Sequence, residues 1–160
     1  MPRPRFAVGC ADTSVPDDLA AETMIAELPL PLADDATLPF WEACRRHELV
    51  MQRCARCDKP RFPPRPMCPD CQSFEHEWRA VSGRGTIFSF VVAHAPVLPA
   101  FQARVPFPIL LVELDEDPGL RIIGNLVGDA RAPLGIGARV EVVFEDVAPD
   151  VTLPQWKLVQ

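Results

Sequence analysis

The sequence lacks tyrosine, contains only two lysines and has no apolar run long enough to cross a membrane. Its densest apolar stretch, residues 106–114, is followed at once by the acidic residues 115–117. A membrane helix needs about 20 apolar residues in succession. Residues 1–10 likewise lack the apolar core that a secretion signal requires. We therefore expect a soluble, cytoplasmic protein.

Positive charge is also scarce, because the net charge is −6 at pH 7. Nucleic-acid affinity rests largely on lysine and arginine, so a broad phosphate-binding surface is disfavoured. An enzyme acting alone needs a nucleophile with its base, or paired carboxylates with different tasks. The three histidines, His47, His76 and His94, have no serine or cysteine motif beside them. We assign no catalytic residue.

Nineteen prolines are unevenly spread and mark the borders of three segments. Residues 1–36 are proline-rich and acidic, which indicates an extended arm with at most a short helix near residues 18–28. Residues 37–79 are predicted to hold a helix and a metal-binding ribbon, and residues 80–160 a small barrel. Because 48% of the residues are apolar, the chain can build a core. We expect a mainly β protein.

The second segment opens with helix signals. Thr37 is a candidate N-cap, Pro39 suits a first helical turn, and Phe40, Trp41 and Cys44 recur at roughly helical spacing. A strand is predicted at residues 49–54. Residues 54–78 are too few and too rich in proline to be stable through apolar burial alone. This part of the chain therefore needs a metal.

Four cysteines form two C-x-x-C pairs: Cys54, Cys57, Cys68 and Cys71. Two such pairs supply the closed tetrahedral sulfur shell of one structural zinc ion and leave no position for water. Iron in the same site and a redox-active pair are the alternatives. The other two cysteines, Cys10 and Cys44, are expected to be inert thiols. Nearby basic residues either balance the charge of a zinc tetrathiolate or bind a ligand: Arg53, Arg56, Lys59, Arg61 and Arg65.

Repeated short strand-like segments follow residue 78; most alternate, and residues 107–114 form a nearly continuous apolar run. Strands are predicted at residues 84–94, 107–114, 120–127, 138–145 and 156–159, with turn-forming segments between them. In the first of these strands Phe88, Phe90 and Val92 alternate on one face, which indicates a packed interior. Five short strands fit a five-stranded OB-fold barrel, although the strand count alone also allows an SH3-like barrel.

Several motifs resemble the zinc-ribbon and OB-fold proteins associated with acyl-CoA metabolism. They are Phe40-Trp41 before Leu49, the cysteine pairs with the proline-rich residues 63–66, the run 82–89 after Trp78, and residues 106–107 and 112–114. The resemblance covers residues 38–158 and implies a helix and a rubredoxin-like zinc ribbon before an OB barrel. Asp58 stands where members often carry glycine, so it must tolerate a positive φ. Residues 1–36 lie outside the resemblance and have no assigned role.

The resemblance also implies a function. Members of the family pair with thiolases, thiolase-like aldolases or related acyl-CoA enzymes, and the partner usually holds the catalytic residues. We therefore expect a noncatalytic, zinc-binding subunit of a hetero-oligomer that supports a thiolase-like enzyme in steroid, aromatic or fatty acyl degradation. The alternative is an OB-fold protein that binds single-stranded nucleic acid.

Some residues near the ends of the first barrel strand are candidates for contact with acyl-CoA or with the partner. Arginine suits the phosphates of CoA, and apolar side chains suit either its acyl arm or a protein interface. The candidates are Arg84, Val97, Leu98, Phe101 and Arg104. The sequence is compatible with contact with acyl-CoA and with contact with the partner.

Overall fold

The computed structural model describes residues 28–128 and 133–159. Most of the predicted arm, including Cys10 and nearly all of the helix expected near residues 18–28, lies outside the described residues. The elements are α1 (Leu38–Arg45), β1 (Val50–Cys54), β2 (Pro60–Arg61), β3 (His76–Ala80), β4 (Arg84–Ala93), β5 (Phe107–Leu114), β6 (Arg121–Asn125), β7 (Arg139–Ala148) and β8 (Val151–Leu158). Among the described residues, no helix is long and apolar enough to cross a membrane.

Helix α1 follows a turn held by two side chains. Thr37 occupies the N-cap position as predicted, but its side chain makes no capping hydrogen bond. The Thr37 hydroxyl donates instead to the Asp34 carboxylate at 2.6 Å. Pro39 lies in the first turn. Phe40 and Cys44 are one helical turn apart and are both buried in the core cluster, so the helix packs through this face.

A small antiparallel sheet in the order β2-β1-β3 carries the cysteine pairs. Its central strand β1 places Gln52 opposite both Arg61 and Trp78. The Gln52 side chain is buried, and its Oε1 accepts from Arg61 Nε and from the Arg65 backbone N–H, each at 2.8 Å. One buried amide thus holds the proline-rich loop that leads to the second cysteine pair.

The larger sheet has five antiparallel strands in the order β6-β5-β4-β7-β8. Its two edge strands approach each other at one parallel bridge, between Leu126 and Trp156. The Val127 N–H donates to the Trp156 carbonyl at 2.7 Å. The sheet therefore coils like an OB fold and confirms the predicted class, but no continuous ladder closes it among the described residues.

Strand β8 is the strand whose predicted bounds differ most from the observed ones. It begins at Val151, five positions before the predicted start at Trp156. Pro154 explains why the strand was predicted to start too late, because proline usually interrupts a strand. On β8 the N–H groups that pair with β7 belong to odd-numbered residues, as the bond from Val159 N–H to the Arg139 carbonyl indicates. Pro154 therefore removes none of the N–H donors that pair β8 with β7.

One core joins the helix, the ribbon and the five-stranded sheet. Phe40 from α1 and Met51 from β1 belong to the same buried cluster as Ile87, Val112 and Trp156 of the larger sheet. Trp156 is completely buried at its centre. The ribbon and the barrel therefore pack as neighbours on shared apolar residues, while the boundaries at residues 36/37 and 79/80 stay predictions.

Strand β4 departs from the predicted alternation. A β-bulge lies between Ile87 and Ser89, and the register with β5 shifts there. Phe88 lies in the bulge and is 42% exposed, and Val92, near the end of the strand, is 38% exposed, whereas Phe90 packs against the core. The prediction that all three pack in the interior was wrong for Phe88, which the bulge turns away from the face of Phe90. It was also wrong for Val92, which shares the face of Phe90 but is exposed near the end of β4.

Candidate metal centre and partner surface

The two cysteine pairs sit in turns with the same backbone design. In the first turn the Asp58 N–H donates to the Cys54 carbonyl, and in the second the Gln72 N–H donates to the Cys68 carbonyl, both at 3.0 Å. Asp58 has φ 62° and Gln72 has φ 59°. The positive φ expected at Asp58 is therefore present. Its carboxylate is paired with the Arg53 guanidinium, which anchors the residue in this conformation.

The four cysteine sulfurs converge on one point. All Sγ atoms lie within 4.8 Å of one another. The Cys54–Cys71 sulfurs are 3.5 Å apart, and the Cys57–Cys68 sulfurs are 3.6 Å apart. A tetrahedral zinc with bonds of about 2.3 Å separates its sulfurs by about 3.8 Å. The distances across the two pairs thus fit one zinc ion, and with four sulfurs the shell is complete.

Backbone amides prepare the first cysteine of each turn to act as a thiolate. The N–H of Cys57, with that of Arg56, lowers the pKa of Cys54 to about 6. The N–H of Cys71, with that of Asp70, lowers the pKa of Cys68 in the same way. Thiolates are the form that binds zinc. Each turn therefore stabilises the charged sulfur of its own first cysteine.

Most of the basic residues around the cysteines are occupied by other protein groups. Lys59 pairs with Asp70 at 2.5 Å and so links the two turns. Arg53 pairs with Asp58, and Arg61 donates to Gln52 and to the Arg65 carbonyl. Of the two roles left open for this cluster, these contacts support a structural one. The bridging role of Asp70 and the burial of Gln52 were not predicted from the sequence, although Gln52 directly follows the apolar run Leu49-Val50-Met51 in the predicted strand.

The predicted contact residues fall into two places. Leu98 is 64% exposed, and the Phe101 ring packs at a tilt of 30° against Phe107 with ring centres 5.8 Å apart, so this loop adjoins the end of β4 and the start of β5. Arg104 is exposed on the same loop, whereas Val97 is half-buried. Arg84 begins β4, ten residues long, at the opposite end. The structure does not bring Arg84 together with the loop.

The outer face of β4, β5 and β6 is apolar and uncovered in the described part of the chain. Val91 is 59% exposed and Ile123 is 64% exposed, with Ile109 and Leu111 half-buried between them. Arg121 lies over the exposed Phe88 ring at 3.4 Å and pairs with Glu113 at 2.9 Å. Since this arginine is already paired, the exposed aromatic does not adjoin a free basic group there. The face suits contact with protein better than contact with phosphates.

The remaining candidate groups have structural surroundings. Cys44 is fully buried, and burial raises the pKa of its thiol to about 12, as expected for an inert cysteine. His47 Nε2 lies 3.3 Å from Asp146, and its ring stacks on Phe144. His76 Nδ1 lies 3.1 Å from the Phe74 carbonyl. Cys54 lies opposite His76 in the small sheet, but this cysteine belongs to the metal site.

Comparison with known families assigns both parts of the chain. Residues 41–77 match the rubredoxin-like zinc ribbon domain of ChsH2, and residues 78–145 match the ChsH2 C-terminal OB-fold domain. The chain belongs to the ChsH2 family. The match confirms the predicted resemblance, and together with the converging sulfurs it confirms the ribbon as a site placed to hold one zinc ion.

Relatives of this ChsH2-family chain include longer and shorter proteins. A probable enoyl-CoA hydratase alpha subunit of Thermomonospora curvata is 42% identical over 119 residues, 74% of this chain and 36% of the relative. The 3-oxo-4,17-pregnadiene-20-carboxyl-CoA hydratase alpha subunit of Mycobacterium tuberculosis is 39% identical over 153 residues, 96% of this chain and 46% of the relative. The chain thus spans less than half the length of these two curated relatives.

A shorter relative and a chain of a solved structure match this chain over most of their own length. A DUF35 domain-containing scaffold protein of Methanocaldococcus jannaschii is 34% identical over 122 residues, 74% of this chain and 84% of the relative. A chain of the solved Ltp2-ChsH2(DUF35) aldolase is 38% identical, with a TM-score of 0.73, and the match covers 80% of this chain and 98% of that one. The ribbon and barrel of the ChsH2 family therefore account for most of this chain.

Proposed function

We propose that this chain is a noncatalytic, zinc-stabilised subunit or domain that associates with a thiolase-like enzyme acting on acyl-CoA and supports its activity. The observation that carries the proposal is the match to the ChsH2(DUF35) chain of an aldolase complex, at 38% identity over 98% of that chain. The scaffold name of the archaeal relative supports an accessory role. A cytoplasmic location is proposed with it, since soluble enzymes of this class are the partners.

The chemistry of the described residues supports a structural role for this chain and a catalytic role for its partner. Four cysteines complete the metal shell, so the site offers no open position for a substrate or a water molecule. Zinc binding to such a shell contributes folding free energy. The chain would then provide a shaped surface, while the partner carries out thiolysis or retro-aldol cleavage. Steroid, aromatic and fatty acyl groups are the proposed classes of substrate chain.

The loop after β4 is the proposed place of contact with the partner or with acyl-CoA. Leu98, Phe101 and Val97 offer apolar surface, and Arg104 offers a positive charge for phosphate. Arg84, at the other end of β4, belongs to a separate contact if it takes part. The apolar outer face of β4, β5 and β6 is continuous with this loop through the Phe101–Phe107 contact.

The test is purification of the tagged chain from its native host, with mass spectrometry and acyl-CoA cleavage assays of the eluate. A thiolase-like subunit at fixed stoichiometry, active only in the pair, is the expected result. Recovery of nucleic acid without an acyl-CoA enzyme would overturn the proposal in favour of the OB-fold nucleic-acid binder.

A further inference from the structure

The two edge strands of the larger sheet run side by side but pair over a short distance only. Leu126 and Trp156 form the parallel bridge, and the Asn125 N–H donates to the Gln155 side-chain Oε1 at 2.6 Å. Toward the starts of both strands this pairing stops. Pro154 lies in β8 one position before Gln155 and has no N–H to offer β6. We call this region, lined by residues 122–125 and 153–155, the seam.

Backbone groups of Ile123 point into the seam. Leu114 N–H donates to the Leu120 carbonyl, and Leu126 N–H donates to the Pro108 carbonyl, so the even-numbered residues of this stretch pair with β5. Ile123, an odd-numbered residue, therefore directs its N–H and C=O away from β5. Within residues 28–128 and 133–159, β6 pairs in a ladder with β5 alone, and the bridge to β8 lies at Leu126 and Trp156, so no ladder covers the outer edge of Ile123. An edge strand with free groups is a template for another strand.

A cavity of about 340 Å³ lies against this free edge. Its opposite wall consists of rings from the helix and the ribbon: Phe40, Trp41, Phe62, Pro63 and Pro64. No lining residue carries a charged side chain. The volume is within the range of about 300–1,000 Å³ that is usual for binding pockets. The seam is thus a slot with one hydrogen-bonding wall and one apolar wall.

We propose that the seam binds an extended, uncharged segment of the partner subunit, which pairs with Ile123 of β6 and places an apolar side chain against Trp41 and Pro154. The inference rests on the proposed function, because that function supplies the partner. A strand satisfies the N–H and C=O of Ile123 together, and its alternate side chains point into the apolar wall. A charged segment is disfavoured, since no lining side chain would pair with a buried charge.

The test uses the full chain and the thiolase-like subunit that co-purifies with it. Ile123→Pro removes the N–H that faces the seam and places a ring where a new strand would approach, but it leaves the β5 ladder intact. Ile123→Ala is the matched control, because it shortens the same side chain and keeps the N–H. We expect Ile123→Pro to weaken partner binding about tenfold or more relative to Ile123→Ala. Zinc content and thermal unfolding of both variants show whether the fold is kept.

A second measurement does not depend on the proline variant folding. A photo-crosslinking amino acid at Leu153, on the cavity wall, is expected to form adducts with an extended segment of the partner in the assembled complex. Adducts only with residues 1–27 of the chain itself, adducts only with a small acyl compound, or no adduct would overturn the docking site. Equal partner binding by the two Ile123 variants would also overturn it while leaving the proposed function in place. If the wild-type chain binds no thiolase-like subunit, the proposed function and the docking site both fall.

Discussion

Asp58 and Gln72 adopt almost the same left-handed conformation, with φ of 62° and 59°, and each stands four positions after the first cysteine of its turn. Such a conformation costs a non-glycine residue about 1–2 kcal/mol. Asp58 is anchored there by its pairing with Arg53, whereas Gln72 is exposed. The two turns have the same backbone conformation, but only in the first is the left-handed residue stabilised by an ion pair.

Glycine at the second of these positions should stabilise the ribbon. Gln72→Gly relieves the left-handed strain, and the larger conformational freedom of glycine in the unfolded chain offsets part of this gain. We expect the free energy of unfolding to rise by about 0.5–1 kcal/mol. Asp58→Gly is the matched control, because it relieves the same strain but loses the contact with Arg53, and its gain should be smaller. Chemical unfolding of the zinc-loaded chains measures both, and a larger gain for Asp58→Gly would contradict this account.

Loss of one sulfur ligand should unfold the ribbon. Cys57→Ser leaves three thiolates and should abolish stoichiometric zinc binding and partner association together, because metal binding and folding are coupled in such sites. Cys44→Ala is the control: it removes a buried thiol outside the metal shell and should cost about 1 kcal/mol while zinc content stays unchanged. Metal analysis and partner pull-down distinguish the two. An intact complex formed by Cys57→Ser would show that the closed zinc shell is not needed.

The metal centre was predictable from the sequence because its geometry is local. Two C-x-x-C turns each need only a few residues, so spacing alone indicates convergence of the sulfurs. Strand β5 was predictable because residues 107–114 form a nearly continuous apolar run, and the structure buries every second residue from Pro108 to Leu114. Such a run predicts a strand, but it does not indicate which face of the strand packs against the core.

The bulge and the seam were not predictable because both depend on distant parts of the chain. The shift after Ile87 exists only relative to β5, and it exposes Phe88 although the alternation of apolar residues continues through it. Pro154 breaks a strand pattern locally, yet its missing N–H faces β6 and not β7. Which neighbour a backbone group faces is decided by sheet register, and no short segment contains that information.

Stability at acid pH should depend on the hydroxyl of Thr152. That hydroxyl donates to Asp146 at 2.6 Å, and this hydrogen bond, with a smaller contribution from His47, holds the pKa of Asp146 below its ordinary value of 3.8. A carboxyl with a depressed folded pKa stabilises the fold above its unfolded pKa, and this stabilisation is lost as pH falls through the folded pKa.

Thr152→Val should therefore lose less stability than the wild type when pH falls from about 6 to about 3. Thr152→Ser keeps the hydroxyl and should follow the wild type. Zinc release at low pH affects all three proteins, so the comparison is made between proteins at each pH. Urea unfolding gives the values. Parallel pH curves for the valine variant and the wild type would show that the Asp146 hydrogen bond does not contribute to the acid response.

The loop after β4 should affect partner binding separately from the start of that strand. Leu98 is 64% exposed, so Leu98→Asp should leave the fold intact, but it would place an unpaired charge in an apolar interface. We expect partner affinity to fall about tenfold or more. Arg84→Gln changes a residue at the far end of the ten-residue β4, about 30 Å away along the strand, and should change affinity less than about twofold.

Substitution of Arg104 distinguishes the two contacts proposed for the loop, which are contact with acyl-CoA and contact with protein. If acyl-CoA phosphates lie on the loop, Arg104→Gln should weaken acyl-CoA binding by the assembled complex, because a charge-assisted hydrogen bond is lost. If the loop contacts only protein, the same variant should leave acyl-CoA affinity unchanged while Leu98→Asp still reduces partner affinity. Titration of the assembled complex with acyl-CoA and direct measurement of subunit affinity give the two values independently. Normal partner affinity for Leu98→Asp would remove the loop from the interface and leave the outer face of β4, β5 and β6 as the surface to test.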